Sequence, residues 1–219
     1  FGERLRALGG RKGSLDLRLG AALVRWQRMD WPDHVGSPDE LDAAVRLSLR
    51  NVHGNAVAAW QVMHSGDAPG EPLLVAAVDA DLSRRVRAEL ARVGWRLRSM
   101  QPYAAAALNH WRQQWRRGSA WVAVVEPDHL TLALVQSGRW LGLSSVACTD
   151  RGPGGWAGAL PALQARMLLQ CEAPIPADTP SFALGPASLA NPLPARWRFL
   201  VPENGGRTEL DFDRLAGGC

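Results

Sequence analysis

The most apolar part of the chain, residues 119–150, predicts three short strands joined by tight turns. Residues 121–125 form a nearly continuous apolar run, which is typical of a strand buried on both faces. Leucines alternate with other residues from 130 to 134 and predict a second strand, and residues 139–146 predict a third. Such an antiparallel meander needs cover on its faces, and helical patterns lie on both sides of it in the chain.

The first third of the chain predicts strands, a helix and another strand. Residues 15–19 and 22–29 alternate between apolar and polar side chains, which favours a hairpin with one buried face. Ser37 and Glu40 stand at the spacing of a capping box and predict a helix from there to about residue 51. Residues 56–63 predict a further buried strand, followed by a loop rich in Gly and Pro.

From residue 72 the pattern alternates between strand and helix. Residues 73–78 predict a strand, and Asp79 caps a predicted helix that ends at Gly94. A strand over 95–100 and a helix over 103–116 then lead to the central meander. Together these elements form a β-α-β-α unit.

The last third begins with a glycine-rich joint at 151–155. A helix is predicted over 158–171, with Pro161 in its first turn or kinking it. Two strands are predicted over 181–184 and 196–201. We therefore divide this α/β chain into three parts, namely a first lobe over residues 1–71, an insertion or connecting subdomain over 72–118, and a second lobe with a C-terminal tail over 119–219.

Composition restricts the class of protein. At 219 residues and 47% hydrophobic content, the chain can bury one good core or two small ones, which excludes a disordered protein. No apolar run reaches the roughly 20 residues that cross a bilayer. Three dispersed cysteines are too few for a disulfide framework and indicate a reducing compartment.

The net charge of +4 is small. Lys12 is the only lysine among 25 basic residues, and coding bias explains this excess of arginine as well as phosphate recognition does.

One segment combines tryptophan with arginine at the predicted end of a helix: Trp111, Arg112, Trp115 and Arg116. This composition is typical of protein interface hot spots and of surfaces that stack nucleic acid bases. It is more typical of a core helix, in which tryptophan is buried and arginine stems cover it, and a nucleic-acid surface is the least favoured of the three. The sequence leaves all three interpretations open.

Sequence motifs for catalysis, metal binding or phosphate binding are absent. The five histidines are dispersed and have no Cys or His partner at metal-ligand spacing. The glycine-rich stretches lack a Gly-x-Gly-x-x-Gly or Gly-Lys-Ser/Thr pattern, and Cys148 has no context that marks a nucleophile. We therefore expect no catalytic residue, no cofactor and no metal.

The stretch over residues 73–139 resembles a known superfamily. It contains the Asp-capped helix that ends at Gly94, the sequence Met-Gln-Pro-Tyr-Ala over residues 100–104, and the meander that closes at residues 137–139. In this order of elements the chain resembles the actin-like ATPases, and within them the type IV pilus assembly protein PilM, the cytoplasmic domain of the type II secretion protein GspL, and the pilus protein MshI. The resemblance implies an abbreviated actin-like (RNase H-like) fold of two lobes with mixed sheets and flanking helices.

The chain departs from that pattern where nucleotide would bind. Actin-like ATPases carry an Asp-x-Gly turn at the first hairpin of each lobe, because glycine lets backbone amides approach the phosphates while the aspartate manages the metal. Here Asp16 is followed by Leu and Arg18, and the second lobe offers Glu126-Pro127-Asp128, in which proline has no N–H. We therefore expect no nucleotide hydrolysis. The alternatives are an active ATPase whose nucleotide loops lie elsewhere and an Arg/Trp-rich nucleic-acid-binding module.

The resemblance also implies a biological setting. It suggests a non-catalytic scaffold on the cytoplasmic face of a bacterial inner membrane, which docks a membrane-anchored protein of a pilus or type II secretion assembly platform. A motor ATPase and a second copy of the chain are further candidate partners, and nucleic acid is not expected. Leu210 and Phe212 lie in an amphipathic run near the C-terminus. Because GspL places a membrane helix soon after its actin-like domain, we expect this run to be a tether or docking strand, the alternative being a final strand of the sheet.

Overall fold

The computed structural model of the protein describes residues 13–65, 69–148, 155–169, 171, 174–190 and 193–201. The strands in these residues are β1 (Ser14–Leu19), β2 (Arg25–Met29), β3 (Trp60–His64), β4 (Leu73–Asp79), β5 (Arg96–Pro102), β6 (Ser119–Val125), β7 (His129–Gln136), β8 (Arg139–Ala147), β9 (Ser181–Leu184) and β10 (Trp197–Leu200). The α-helices are α1 (Pro38–His53), α2 (Ala80–Arg92), α3 (Tyr103–His110) and α4 (Gly155–Leu168), and short 3-10 helices lie at Ala21–Leu23, Gly54–Ala59, Arg112–Trp115 and Ala187–Leu189.

The central sheet has five strands in the order β10-β9-β6-β7-β8. Strands β6, β7 and β8 form the antiparallel meander predicted from the sequence, and β9 lies parallel to β6 on its other side. Strand β10 extends the sheet in parallel with β9. The two strands predicted for the last third of the chain therefore belong to the same sheet as the meander.

Apolar layers cover both faces of this sheet. Leu132 and its neighbours on β7 pack against α4 through Trp156, Leu160 and Leu163. Val124 lies on the opposite face, in a core that α3 and Trp115 complete. Because the side chains of a strand alternate between the two faces, the apolar run of β6 serves both cores. This explains why its sequence is almost continuously hydrophobic.

The first part of the chain contributes strands to two smaller sheets. The hairpin predicted from residues 15–19 and 22–29 is therefore wrong, because these strands do not pair with each other. Strand β1 pairs in parallel with β5, whereas β2 pairs antiparallel with β4 in a sheet of order β2-β4-β3. The 3-10 helix Ala21–Leu23 separates β1 from β2 and leads the chain from one sheet to the other. Each of these two sheets therefore contains strands from both sides of the boundary predicted between residues 71 and 72.

Predicted capping signals are confirmed at the start of α1 and at both ends of α2. The hydroxyl of Ser37 accepts a hydrogen bond from the Glu40 N–H, and the Glu40 carboxylate in turn accepts from the Gly36 N–H at 2.7 Å, one residue before the cap itself. Asp79 caps α2 by accepting from the Asp81 N–H. Gly94 follows that helix with a φ of 75°, a conformation that favours glycine.

Two helix predictions need correction. The helix predicted over 103–116 ends at His110 and is followed by the 3-10 helix Arg112–Trp115, which turns Trp115 back into the core. The helix predicted from residue 158 begins at Gly155, so that Pro161 lies in its interior with an exposed side chain. In both cases burial of a tryptophan, Trp115 or Trp156, accompanies the change.

Candidate functional site

The first turn of the first lobe and the first turn of the second lobe are in direct contact. Both carboxylate oxygens of Glu126, which directly follows β6, accept hydrogen bonds from the backbone N–H of Ala21, at 3.1 and 3.0 Å. A Cβ atom placed on the neighbouring Gly20 would lie 3.0 Å from Glu126 Oε2. The absence of a side chain at Gly20 therefore leaves room for the carboxylate against the backbone.

The first turn of the first lobe lies later in the chain than the sequence predicted. Asp16 and Arg18 lie within β1, not in the turn after it. The Asp16 carboxylate accepts hydrogen bonds from Arg98 Nε at 2.8 Å and from the Ser99 hydroxyl at 2.6 Å, and these bonds join β1 to β5. The first turn of the lobe contains Gly20 and Ala21, so it does offer a glycine and an amide, and Glu126 accepts from that amide.

Sequence reasoning placed Glu126 in a turn but could not find its role. Its only signal was a carboxylate in the second-lobe turn at the position where the resemblance places a phosphate-facing loop. The partner amide belongs to Ala21, 105 residues earlier in the chain. Long-range contacts of this kind depend on how the two lobes pack, and no periodicity encodes that packing.

The Arg/Trp segment divides into a buried part and an exposed part. Trp115 is 2% exposed, and its ring centroid lies 5.9 Å from that of Phe182 in the core. Trp111 is half-buried against the same core, whereas Arg112 and Arg116 are exposed. The core interpretation is therefore the one that applies to Trp115, whose buried side chain leaves no exposed surface for a partner.

The remaining candidates from this segment lie on an open surface. A depression of about 330 Å³ beside the 3-10 helix is lined by Gln113, Gln114, Arg116 and Arg117. No acidic side chain lines it. Leu210 and Phe212, the other predicted partner-binding residues, lie outside the described residues. Arg112 and Arg116 keep their place as candidates on grounds of exposure and charge alone.

A cleft that the sequence did not indicate lies where β2 meets β8. Strand β2 is at one end of its sheet and β8 is at one end of the five-stranded sheet, and the two strands lie side by side. The cavity between them has a volume of about 270 Å³. Its lining combines seven apolar residues, including Trp26 and Leu143, with two arginines, one histidine and two serines, namely Arg25, Arg166, His129, Ser144 and Ser145.

The described residues favour neither a cysteine nucleophile nor a metal site. Burial is the main cause that raises the pKa of the Cys148 thiol, and the nearby Asp128 carboxylate adds to it. Burial likewise raises the pKa of Cys171, so neither thiol is activated as a nucleophile. Within the described part of the chain, no group of three or more His, Cys, Asp or Glu side chains could hold a metal ion. No helix of that part is long and apolar enough to span a membrane.

Comparisons with known proteins identify the fold. No protein-family model matches the chain, and no curated protein sequence matches it. Among solved structures, the chain is similar to the cytoplasmic domain of EpsL, an inner membrane component of the type II secretion system of Vibrio cholerae, with a TM-score of 0.59 and 18% identity over 91% of this chain and 73% of that one. It is also similar to the PilM–PilN type IV pilus biogenesis complex, with a TM-score of 0.56 and 14% identity over 85% of this chain and 66% of that one.

These likenesses agree with the arrangement of the described strands. The five-stranded order β10-β9-β6-β7-β8, with its meander on one side and parallel strands on the other, is a mixed sheet covered by helices on both faces. The α/β prediction made from the element order is confirmed. The chain therefore has the actin-like fold that its sequence predicts, and shares it with the cytoplasmic domain of EpsL and with the PilM–PilN complex.

Proposed function

We propose that the protein is a non-catalytic scaffold of a bacterial type II secretion or type IV pilus assembly platform, and that it docks a membrane-anchored partner on the cytoplasmic face of the inner membrane. The fold supports the setting, since EpsL is an inner membrane component of a type II secretion system and PilM was solved as a complex with PilN. A motor ATPase and a second copy of the chain are further candidate partners within the same proposal.

The contact between Glu126 and Ala21 is the observation that carries the non-catalytic role. In an actin-like ATPase, by the resemblance, the first turns of the two lobes face the nucleotide phosphates with backbone amides. Here the Glu126 carboxylate accepts a hydrogen bond from the Ala21 N–H in the first turn, at 3.0 Å. A phosphate at that place would meet a negative charge in place of a hydrogen-bond donor, and repulsion between like charges would oppose its binding.

The docking role has a direct test in the source bacterium. Deletion of the gene should abolish either type II secretion or pilus assembly, and expression of the wild-type chain should restore it. Chemical cross-linking of a tagged chain should capture a protein that has a transmembrane segment. Normal secretion and normal pili in the deletion strain would contradict the proposal, as would cross-linking to soluble proteins alone.

A further inference from the structure

Elements of both lobes meet at the end of the molecule where β6 begins, which we call the Ser119 end. Ser119 pairs with Gln136 at the end of β7, and Gln136 pairs with Arg139 at the start of β8. The Arg139 guanidinium lies 2.7 Å from the carboxylate of Glu71, two residues before β4 begins. Because Glu126 follows the other end of β6, the Ser119 end lies opposite the contact between the two first turns.

An acidic surface covers the first-lobe side of the Ser119 end. Strand β2 ends there, because Met29 pairs with Leu73 at the start of β4, and residues 30–37 lead from β2 into α1. Residues 30–42 contain no Arg or Lys and five exposed acidic side chains, namely Asp30, Asp33, Asp39, Glu40 and Asp42. In the described part of the chain, the carboxylates of Asp33 and Asp39 have no hydrogen-bond or ion-pair partner. These two groups are free to bind a cationic group of another molecule.

An arginine surface covers the neighbouring side of the same end. It consists of Arg112, Arg116 and Arg117, which lie in and after the 3-10 helix that leads from α3 to β6. All three side chains are exposed, and none of them bonds to a carboxylate of a described residue. Residues 90–125 contain no Asp or Glu, so the chain places no acidic group close to these arginines in the sequence. The arginine surface is therefore free to bind an anionic group.

The two surfaces also share features of protein interfaces. Trp31 is half-buried within the acidic surface, and Trp111 is half-buried beside the arginine surface. Tryptophan and arginine are enriched at the centres of interfaces between proteins. The depression of about 330 Å³ that Arg116 and Arg117 help to line gives an acidic side chain room between guanidinium groups. Each surface can therefore combine an ion pair with apolar contact.

A second copy of the chain matches this combination of charges better than a lipid or nucleic-acid surface does. An anionic lipid or nucleic acid would be attracted by the arginine surface and repelled by the acidic surface at the same end. A twofold rotation instead places the acidic surface of each copy on the arginine surface of the other. Such a contact uses both surfaces of both copies, so it closes at two subunits.

We infer that the protein forms a symmetric dimer through the Ser119 end, in which the arginine surface of each copy binds Asp33 and Asp39 of the other. The inference deepens the proposed function, in which a second copy is one of the candidate partners, and it rests on that function for the place of the dimer in an assembly platform. Because the paired groups are exposed charges, salt should weaken the dimer by screening their attraction.

Sedimentation velocity of the full chain tests the oligomeric state. We expect a dimer at an ionic strength of about 0.01 M, where the Debye length is about 30 Å. At about 1 M salt, where that length is about 3 Å, the dissociation constant should be at least about tenfold higher. A monomer under both conditions would overturn the inference, as would a dimer that salt does not weaken. A series of larger species would overturn the twofold arrangement, because only a head-to-tail contact adds further copies.

Charge reversal locates the interface. Arg116→Glu/Arg117→Glu would bring acidic groups onto acidic groups, and Asp33→Arg/Asp39→Arg would bring basic groups onto basic groups. Each double variant should raise the dissociation constant of its own dimer by at least about tenfold. An equimolar mixture of the two should form a heterodimer about as stable as the wild-type dimer, because both contacts are complementary again. Failure of the mixture to associate, with both variants folded in urea melts, would overturn the inference.

A matched control separates the interface from net charge. Arg50→Glu/Arg87→Glu changes the net charge by the same amount as Arg116→Glu/Arg117→Glu, and it alters exposed residues of α1 and α2 outside both surfaces. This control should leave the dimer unchanged. Equal weakening by the two variants would overturn the inference and assign the association to net charge. A monomeric wild-type chain that binds vesicles of anionic phospholipid would also overturn it and assign the arginines to a lipid surface.

The dimer and the docking role have separate readouts. A salt-sensitive dimer of the purified chain, together with normal secretion and normal pili in the deletion strain, would leave the dimer in place and contradict the docking role. A monomer in solution, together with capture of a membrane-anchored protein in the source bacterium, would overturn the dimer and support the docking role. Failure of either proposal is therefore visible without the other.

Discussion

The Glu126 carboxylate and the Ala21 backbone N–H join two turns that lie 105 residues apart in the sequence. The bond is partly buried and has a charged acceptor, so it is stronger than a hydrogen bond between neutral groups. It links the first turn of one lobe to the first turn of the other. We therefore expect the same pair of atoms to affect both the stability of the fold and its capacity for nucleotide.

The first prediction concerns nucleotide. Because the Glu126 carboxylate holds a negative charge next to the Ala21 N–H, we expect neither ATP hydrolysis nor a change in the melting temperature with millimolar Mg-ATP. A ligand at about 100 times its dissociation constant adds roughly 2.7 kcal/mol to the free energy of unfolding, so tight binding would be visible in a thermal melt. A rise of several degrees would instead support the alternative of an active ATPase.

The second prediction concerns the stability that this bond provides. Glu126→Ala leaves the Ala21 N–H without its acceptor and should lower the free energy of unfolding by about 1–3 kcal/mol. Glu126→Gln is the matched control, because its amide oxygen can still accept the hydrogen bond without the charge. We expect it to lose less stability than Glu126→Ala in urea melts. Identical midpoints for both variants and the wild-type chain would show that the bond contributes nothing to stability.

Features with a local physical cause were predictable from the sequence. The meander follows from alternation and turn residues. The starts of α1 and α2 follow from the Ser37 and Asp79 caps, and the end of α2 follows from Gly94. Each of these signals acts within a few residues along the chain. The expectation of an actin-like fold came from a resemblance, namely that the order of these elements is similar to that of the actin-like ATPases.

Features that depend on tertiary pairing were not predictable. Alternation in β1 and β2 showed that each strand has a buried face, but it could not show that their partners are β5 and β4. The same limit applies to Trp115, since tryptophan next to arginine is compatible with both a core and an interface. The cleft arises where β2 and β8 end two different sheets, and no local signal marks such a place.

The third prediction concerns the core of the five-stranded sheet. Val124 and Leu132 are fully buried, on opposite faces of that sheet. Val124→Asp and Leu132→Asp should each prevent soluble folding, because each leaves a charge in apolar surroundings. Ala147→Asp, at the exposed end of β8, is the matched control and should fold normally. Soluble Asp variants at 124 and 132 with cooperative unfolding near wild-type stability would contradict this account of the core.

The fourth prediction separates the two parts of the Arg/Trp segment. Trp115→Ala should lower the free energy of unfolding by about 3–5 kcal/mol, because it removes a large buried side chain that packs on Phe182. Arg116→Ala removes an exposed side chain and should stay within about 0.5 kcal/mol of the wild-type value. Denaturant melts measure both. A small effect of Trp115→Ala would return this residue to the candidates for partner binding.

The last prediction concerns residues 208–219, which lie outside the described residues. If Leu210 and Phe212 belong to a tether or docking strand, removal of residues 208–219 should leave the midpoint of a denaturant melt nearly unchanged, while capture of the membrane-anchored partner should fall. If the two side chains are buried in a final strand, their loss should cost several kcal/mol through the apolar surface they expose. A midpoint shift equivalent to more than about 2 kcal/mol would therefore reject the tether. The double variant Leu210→Ser/Phe212→Ser keeps the full chain length, so it distinguishes loss of these two side chains from loss of chain length.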